Sequence, residues 1–556
     1  VRLYADIWRP DTDIALPVLV GRTPYNRKLM EAFSGSAALA REGYVVISED
    51  CRGRFESEGE HWAPIEIEID DGYDTVEWAA AQPWSNGKVG VFGASYMGYT
   101  QWQTAIARPP SLVAMLPECS ASDYWDSTFG PGGAFRIANR VGWALNVAME
   151  EARRQHLDDP LVDEITTAMK AAGDDMLARA AASAPTLQRI LTTRPVRHIE
   201  FFRKAAPWYS EYFDHARRDH PWWRKVNPRT HFGDFDLPVV HVGGWYDVQC
   251  WSTLDAFTGM REGAKTERAR ENQWLIMGPW THWGIASGAV GDLDFGPAAV
   301  LDIQTLRADW FGHWLHNRDT GVTDRPRVRI FVMGENVWRD EHEWPLARTQ
   351  WTSLHLHAGG LLASEQPRPS APDAFTYDPR DPVPTRGGCL LGDNAGARGG
   401  PIEQGDLASR ADVLAYTSAP LTDAVEITGP VRAELWVSST APDTDFSAKL
   451  VDVHPDGRSF NICEGIIRAR TAIVNPLQPG AVYQLPIEVG ATSILVPAGH
   501  RLQVLVSSSS WPMWEPNANS GKPPGTDTDD DLRTADQLVF HDPAHPSRVV
   551  LPVIRR

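Results

Sequence analysis

Three side chains that together could split a carbonyl–heteroatom bond stand just past the ends of three apolar runs: Ser95, Asp247 and His282. Ser95 lies in Gly93-Ala94-Ser95-Tyr96-Met97-Gly98, behind Val89-Gly90-Val91-Phe92 and ahead of a segment that reads as helix. Small residues there let the chain turn sharply and lift a hydroxyl clear of a sheet. Serine at its ordinary pKa is a weak nucleophile, so attack on a carbonyl needs a base to take its proton. His282, in Gly278-Pro279-Trp280-Thr281-His282, is the candidate base and later the acid for the leaving group. Asp247, in Gly244-Trp245-Tyr246-Asp247, would hold the imidazole tautomer and stabilise the imidazolium. A developing oxyanion also needs donors aimed at it. The backbone N–H of Tyr96 is one, and the loop Gly21–Arg27 is where the second is expected.

Each residue alone is weak evidence, because a serine or aspartate in a Gly-rich turn is usually only a turn residue, and any one of 17 histidines is usually structural. Order discriminates: nucleophile, acid, then histidine, each past the carboxyl end of a strand, is the α/β-hydrolase arrangement. The surrounding elements agree. Val1–Trp8 alternates with period two, Leu16–Val20 and Tyr44–Ser48 read as strands, and Asp71–Ala81 has a helical bias. Strand–helix alternation of this kind predicts βαβ units and a mostly parallel sheet. Between 123 and 229 the pattern turns helical, with Asp159-Pro160 as a helix start and Ile165, Ala168 and Met169 at helical spacing. An inserted helical segment accounts for the long separation of Ser95 from Asp247. Strands resume at Leu237–Gly243 and Gln273–Gly278, and Thr305–Leu315 reads as an amphipathic helix. From 346 onward only short alternating runs occur, such as Val431–Val437 and Arg501–Val506. The expected fold is α/β: an α/β-hydrolase core over 1–122 and 230–345, a helical cap over 123–229, and a β-sandwich of the jelly-roll kind over 346–556.

Composition narrows the partners. A length of 556 residues calls for several domains. The net charge of −19 argues against nucleic acid and anionic membrane surfaces. No apolar run approaches the roughly 18 residues of a membrane span. Five scattered cysteines with no C-x-x-C pair suggest neither a zinc site nor a disulfide framework, and no metal or cofactor is expected. The chain begins at Val1 inside a strand-like pattern, so its true start is expected to lie upstream; a cytoplasmic location is favoured, with secretion left open. The β domain offers a surface for a homo-oligomer.

Further segments carry a specific resemblance. Thr23-Pro24-Tyr25-Asn26, the run Asp50–Gly59, Gly93–Gly98, Gly244–Asp247 and Gly278–His282 together resemble the CocE/NonD hydrolases. That family includes bacterial cocaine esterase, the S15 X-Pro dipeptidyl-peptidases, glutaryl-7-aminocephalosporanic acid acylases and α-amino acid ester hydrolases. The similarity continues through Val328–Gly334, Tyr416–Leu421 and Ala441–Phe446. It implies a triad of Ser95, Asp247 and His282, and an oxyanion hole made by the Tyr25 hydroxyl and the Tyr96 N–H. It also implies an ion-paired loop around Asp50, Arg52 and Glu58. Where the amino acid ester hydrolases gather carboxylates for a substrate ammonium, this chain has Val248, Gln249 and Cys250 after the aspartate, and Met97 in the elbow. The expected substrate is a small ester or amide, or a short peptide. Trp125, Phe129, Phe135 and Trp143 are the candidate acyl pocket, with Gln249 beside them. Release of X-Pro dipeptides is one alternative, and a non-catalytic binding protein on a hydrolase scaffold is another.

Overall fold

The structure, a computed structural model, describes residues 1–60, 62–171, 176–391, 396–473 and 476–555. Nine strands form the first sheet: β1 (Ala5–Trp8), β2 (Leu16–Thr23), β3 (Val45–Asp50), β4 (Ser85–Ala94), β5 (Leu112–Glu118), β6 (Val239–Gly244), β7 (Gln273–Gly278), β8 (Val328–Val332) and β9 (Val337–Glu341). Their order is β1-β3-β2-β4-β5-β6-β7-β8-β9. The strands from β3 to β8 are parallel, and the edge strands β1 and β9 pair antiparallel. A parallel sheet is covered on both faces, which is why its strands read as unbroken apolar runs. Successive residues of β2 show this. Val18 and Val20 pack with Trp102 and Ala105 of the helix Tyr96–Ala107 on one face. Leu19 packs with Trp310 and Phe311 of the helix Ile303–His316 on the other. The helix expected from Asp71 starts earlier, at Ile67, and ends at Ala80.

Between β5 and β6 the chain leaves the sheet through a series of helices, among them Tyr124–Phe129, Ile137–Arg154, Pro160–Ala171 and Pro221–Val226. Their apolar faces form a core rich in Phe129, Phe135, Trp208, Tyr209, Phe213 and Trp223, which also takes in Trp62, Tyr96 and Tyr99 from the sheet domain. No helix among the described residues is long and apolar enough to cross a membrane.

A second sheet of 12 strands runs from Gln350–His357 to Arg548–Ile554. Its longest pair is Val425–Ser439 against Tyr483–Val496, antiparallel with a register shift after Val431. Val431, Ala433, Leu435 and Val437 point one way along the first of these, as period two demands. They share one core with Phe446, Ala448 and Leu450 of Asp445–Val453, so the sheet folds over on itself as a sandwich. This domain reaches the first one at the acid loop. The Tyr246 hydroxyl donates to the Asn461 carbonyl at 3.2 Å, and Cys389 Sγ lies 3.7 Å from the Trp245 carbonyl.

Candidate active site

At the end of β4 the chain turns through Ser95 with φ 61° and ψ −124°, a backbone geometry that side chains other than glycine rarely adopt. The strain is held by the neighbours. Ser95 N–H donates to the Glu118 carbonyl at 2.9 Å, and Glu118 is itself paired with Arg307 at 2.6 Å. Gly93 (φ 130°) and Gly98 make the turn sterically feasible. A Cβ at 93 would stand 2.7 Å from Met97 Cβ, and one at 98 would stand 2.6 Å from Ser120 Cβ. The second small residue of this elbow is therefore needed one place later than in the usual G-x-S-x-G, against the strand-end loop at Ser120.

The three side chains meet. His282 Nε2 lies 2.8 Å from Ser95 Oγ, and His282 Nδ1 lies 3.2 and 3.3 Å from the two Asp247 oxygens. Asp247 is fully buried and His282 is 5% exposed. Burial pushes the Asp247 carboxyl up, but His282, the Cys119 thiol and the Gln249 N–H outweigh it and hold its pKa below the ordinary carboxylate value. The Gln249 N–H donates to Asp247 Oδ1 at 2.5 Å. An ionised carboxylate fixed in this way favours a proton on Nδ1, which leaves Nε2 free to accept the serine proton.

Tyr25 lines the same cleft, just past the end of β2. Trp143 Nε1 donates to its hydroxyl oxygen at 2.8 Å. The phenol's own proton is thus left to point at an oxygen near Ser95. Burial, the largest influence, pushes the Tyr25 pKa up to about 12, against the pull of hydrogen bonds with Trp143 and Ser95. The group stays a donor at neutral pH. Tyr96 opens its helix, where the first N–H groups lack an intrahelical acceptor. Arg54, 2% exposed, ties this corner together: Nε donates to the Pro24 carbonyl and Nη1 to the Val147 carbonyl, both at 3.0 Å. It thereby links the Tyr25 loop to the helix that carries Trp143. The surrounding loop is ion-paired, with Asp50 held by Arg27 at 2.5 Å and Arg52 Nε donating to Asp71 at 3.0 Å; Glu58 accepts instead from the Arg2 N–H at 2.8 Å.

About 440 Å³ of space, part of it open to solvent, lies in the cleft. Trp143 and Gln249 line it as expected from the sequence, together with Tyr99, Tyr124, Ser127, Asn139 and Arg140. Trp125, Phe129 and Phe135 do not line it, which corrects the acyl-pocket assignment made for them. Their rings face other residues of the cap, Phe135 against Phe213 at 4.8 Å and Trp125 Nε1 bonded to the Ala216 carbonyl. Trp143 carries a task that aromatic content alone does not reveal, since it orients Tyr25 while stacking on Tyr96 at 5.8 Å. Among the described residues one group, Asp452, His454 and His500, brings three metal-capable side chains within 4.8 Å of one another, and none of them lines the cleft.

Residues 1–284 match the X-Pro dipeptidyl-peptidase (S15) family, and residues 320–550 match the X-Pro dipeptidyl-peptidase C-terminal non-catalytic domain. The chain belongs to the S15 and CocE/NonD family of serine hydrolases. It is 36% identical to cocaine esterase of Rhodococcus sp. over 583 residues, covering 100% of this chain and 97% of that one. Among solved structures, an aminopeptidase from a marine sediment Thaumarchaeota archaeon superposes with a TM-score of 0.81 at 24% identity, over 100% and 94% of the two chains. An α-amino acid ester hydrolase gives 0.79 at 24% identity, over 99% and 94%. These two likenesses establish the shared two-domain fold. The family members share a serine-hydrolase mechanism on ester, amide or peptide bonds, and this chain is a serine hydrolase.

Proposed function

We infer that the chain hydrolyses small esters or amides through an acyl-enzyme, with Ser95 as nucleophile, His282 as base and then acid, and Asp247 as the residue that orients it. The observation that carries this is the unbroken line from Asp247 through His282 to Ser95, at 3.2 and 2.8 Å, opening into one cleft. Ser95 Oγ attacks the substrate carbonyl as its proton passes to His282 Nε2. The carbonyl oxygen becomes an oxyanion held by the Tyr25 hydroxyl and the Tyr96 N–H. Collapse expels the alcohol or amine, which takes the proton from His282. Water then repeats the sequence on the acyl-enzyme, with His282 again as base.

Esters and simple amides are favoured over X-Pro peptides with a free amino terminus. An ammonium in this cleft needs a carboxylate partner, and none of the described lining residues is acidic. The esterase named in the 36% identical relative points the same way. Turnover of aryl esters against Gly-Pro and Ala-Pro 4-nitroanilides tests the preference; faster release from the anilides would reverse it.

Tyr25→Phe is expected to lower kcat by about 10²–10³-fold, since it removes one donor from the oxyanion. KM for the same ester is expected to change little, because the ground-state carbonyl gains little from that bond. Steady-state kinetics on the purified variant check both numbers.

A further inference from the structure

Arg140 is 6% exposed and lines the cleft with Ser95. Its Nε donates to the Ser127 carbonyl at 3.0 Å and its Nη2 to the Ser127 hydroxyl. The guanidinium lies 5.2 Å from the Tyr124 ring and 5.9 Å from the Trp143 ring. Every one of these partners is neutral. Among the described residues no carboxylate pairs with it. Other deeply buried arginines of this chain are paired: Arg22 with Glu49 and Glu68, Arg307 with Glu118, and Arg468 with Asp445. Arg54 and Arg136 bind backbone carbonyls instead, and neither lines this cleft. A guanidinium cannot shed its proton, so a buried one without a counter-anion is a standing electrostatic cost unless a ligand supplies the anion.

Two neighbours strengthen the point. Asn139 Nδ2 and the Tyr99 hydroxyl belong to residues lining the same cleft, and neither atom has a hydrogen-bond partner. A cation and two idle donors, with no acidic lining residue described, form a surface complementary to a carboxylate. Gln249 Oε1 likewise has no hydrogen-bond partner and suits an amide or hydroxyl of the same ligand.

We propose that the substrate carries a carboxylate besides its scissile bond, seated on the Arg140 guanidinium with Asn139 and Tyr99 as further donors. This rests on the serine-hydrolase reading of Ser95 and deepens it to a substrate class: half-esters or half-amides of dicarboxylic acids, or esters of hydroxy acids.

Two matched pairs of esters test it, one with the charge on the acyl half (4-nitrophenyl adipate monoester against 4-nitrophenyl heptanoate) and one with it on the leaving half (4-acetoxybenzoate against 4-methylphenyl acetate). In at least one pair, Arg140→Gln is expected to lower the anionic-to-neutral ratio of kcat/KM by roughly 10–100-fold, the value of a charge-assisted hydrogen bond. Arg140→Lys, which keeps the charge, is expected to retain part of the preference. Labelling of Ser95 by a fluorophosphonate is measured in parallel. If Ser95 is labelled and the anionic-to-neutral ratio is the same in the native protein and in Arg140→Gln for both pairs, the proposal is wrong. If the native Ser95 is not labelled, the failure lies with the serine assignment. Should the variants misfold, inhibition of the native protein decides: hexanoate must compete with the neutral ester better than hexanamide, and equal inhibition overturns the carboxylate site.

Discussion

Ser95→Ala is expected to reduce ester turnover by roughly 10⁴–10⁶-fold, leaving the slow background that the cleft and oxyanion donors sustain without a nucleophile. The size follows from how the groups are joined. His282 Nε2 has its serine partner at 2.8 Å and Asp247 behind it, so neither the base nor the orienting carboxylate has anything to act on once the hydroxyl is gone. His282→Ala should cost about as much for the same reason, and the double variant little more, because residues acting as one unit do not contribute additively. Folding should be unaffected by the serine change. The Ser95 N–H bond to Glu118 is a backbone bond that alanine retains. Initial rates on a 4-nitrophenyl ester, alongside a urea unfolding midpoint, separate the two effects.

Asp247→Asn is expected to cost on the order of 10⁴-fold in kcat while preserving the fold. The carboxylate is fully buried, accepts from the Gln249 N–H at 2.5 Å and faces His282 Nδ1 with both oxygens. An amide there can still accept from Gln249 with its oxygen, which turns its NH₂ toward the imidazole. Nδ1 must then accept, the ring proton moves to Nε2, and the nitrogen facing Ser95 can no longer take its proton. The imidazolium of the transition state also loses its counter-charge. A kcat/KM within tenfold of the native value would mean that Asp247 does not orient the base.

Much of this site is readable from local sequence, because a strand end followed by a turn places one side chain without reference to the rest of the chain. Ser95, Asp247 and His282 each follow a run that is a strand of the sheet, β4, β6 and β7. The apolar runs Leu16–Val20 and Gln273–Gly278 are legible for the same reason, since both faces of a parallel sheet are buried. What depends on contact between distant elements is not legible. Aromatic residues in the cap announce burial but not direction: Trp143 faces Tyr25 and the cleft, whereas Phe129 and Phe135 face Phe213. Arg140 looks like any solvent-seeking residue on a helix, and only the packing of Tyr124, Ser127 and Trp143 around it shows a buried cation. Arg54 belongs to a motif that resembles a structural loop, and its bridge between Pro24 and Val147 spans residues far apart in the chain.

The central claim is that Ser95 is an activated nucleophile, and covalent titration asks this directly. A fluorophosphonate should inactivate the protein at one equivalent per chain, with the added mass mapped to the peptide holding Ser95 and absent from Ser95→Ala. Full ester turnover after quantitative labelling elsewhere, or equal labelling and turnover in Ser95→Ala, would contradict it.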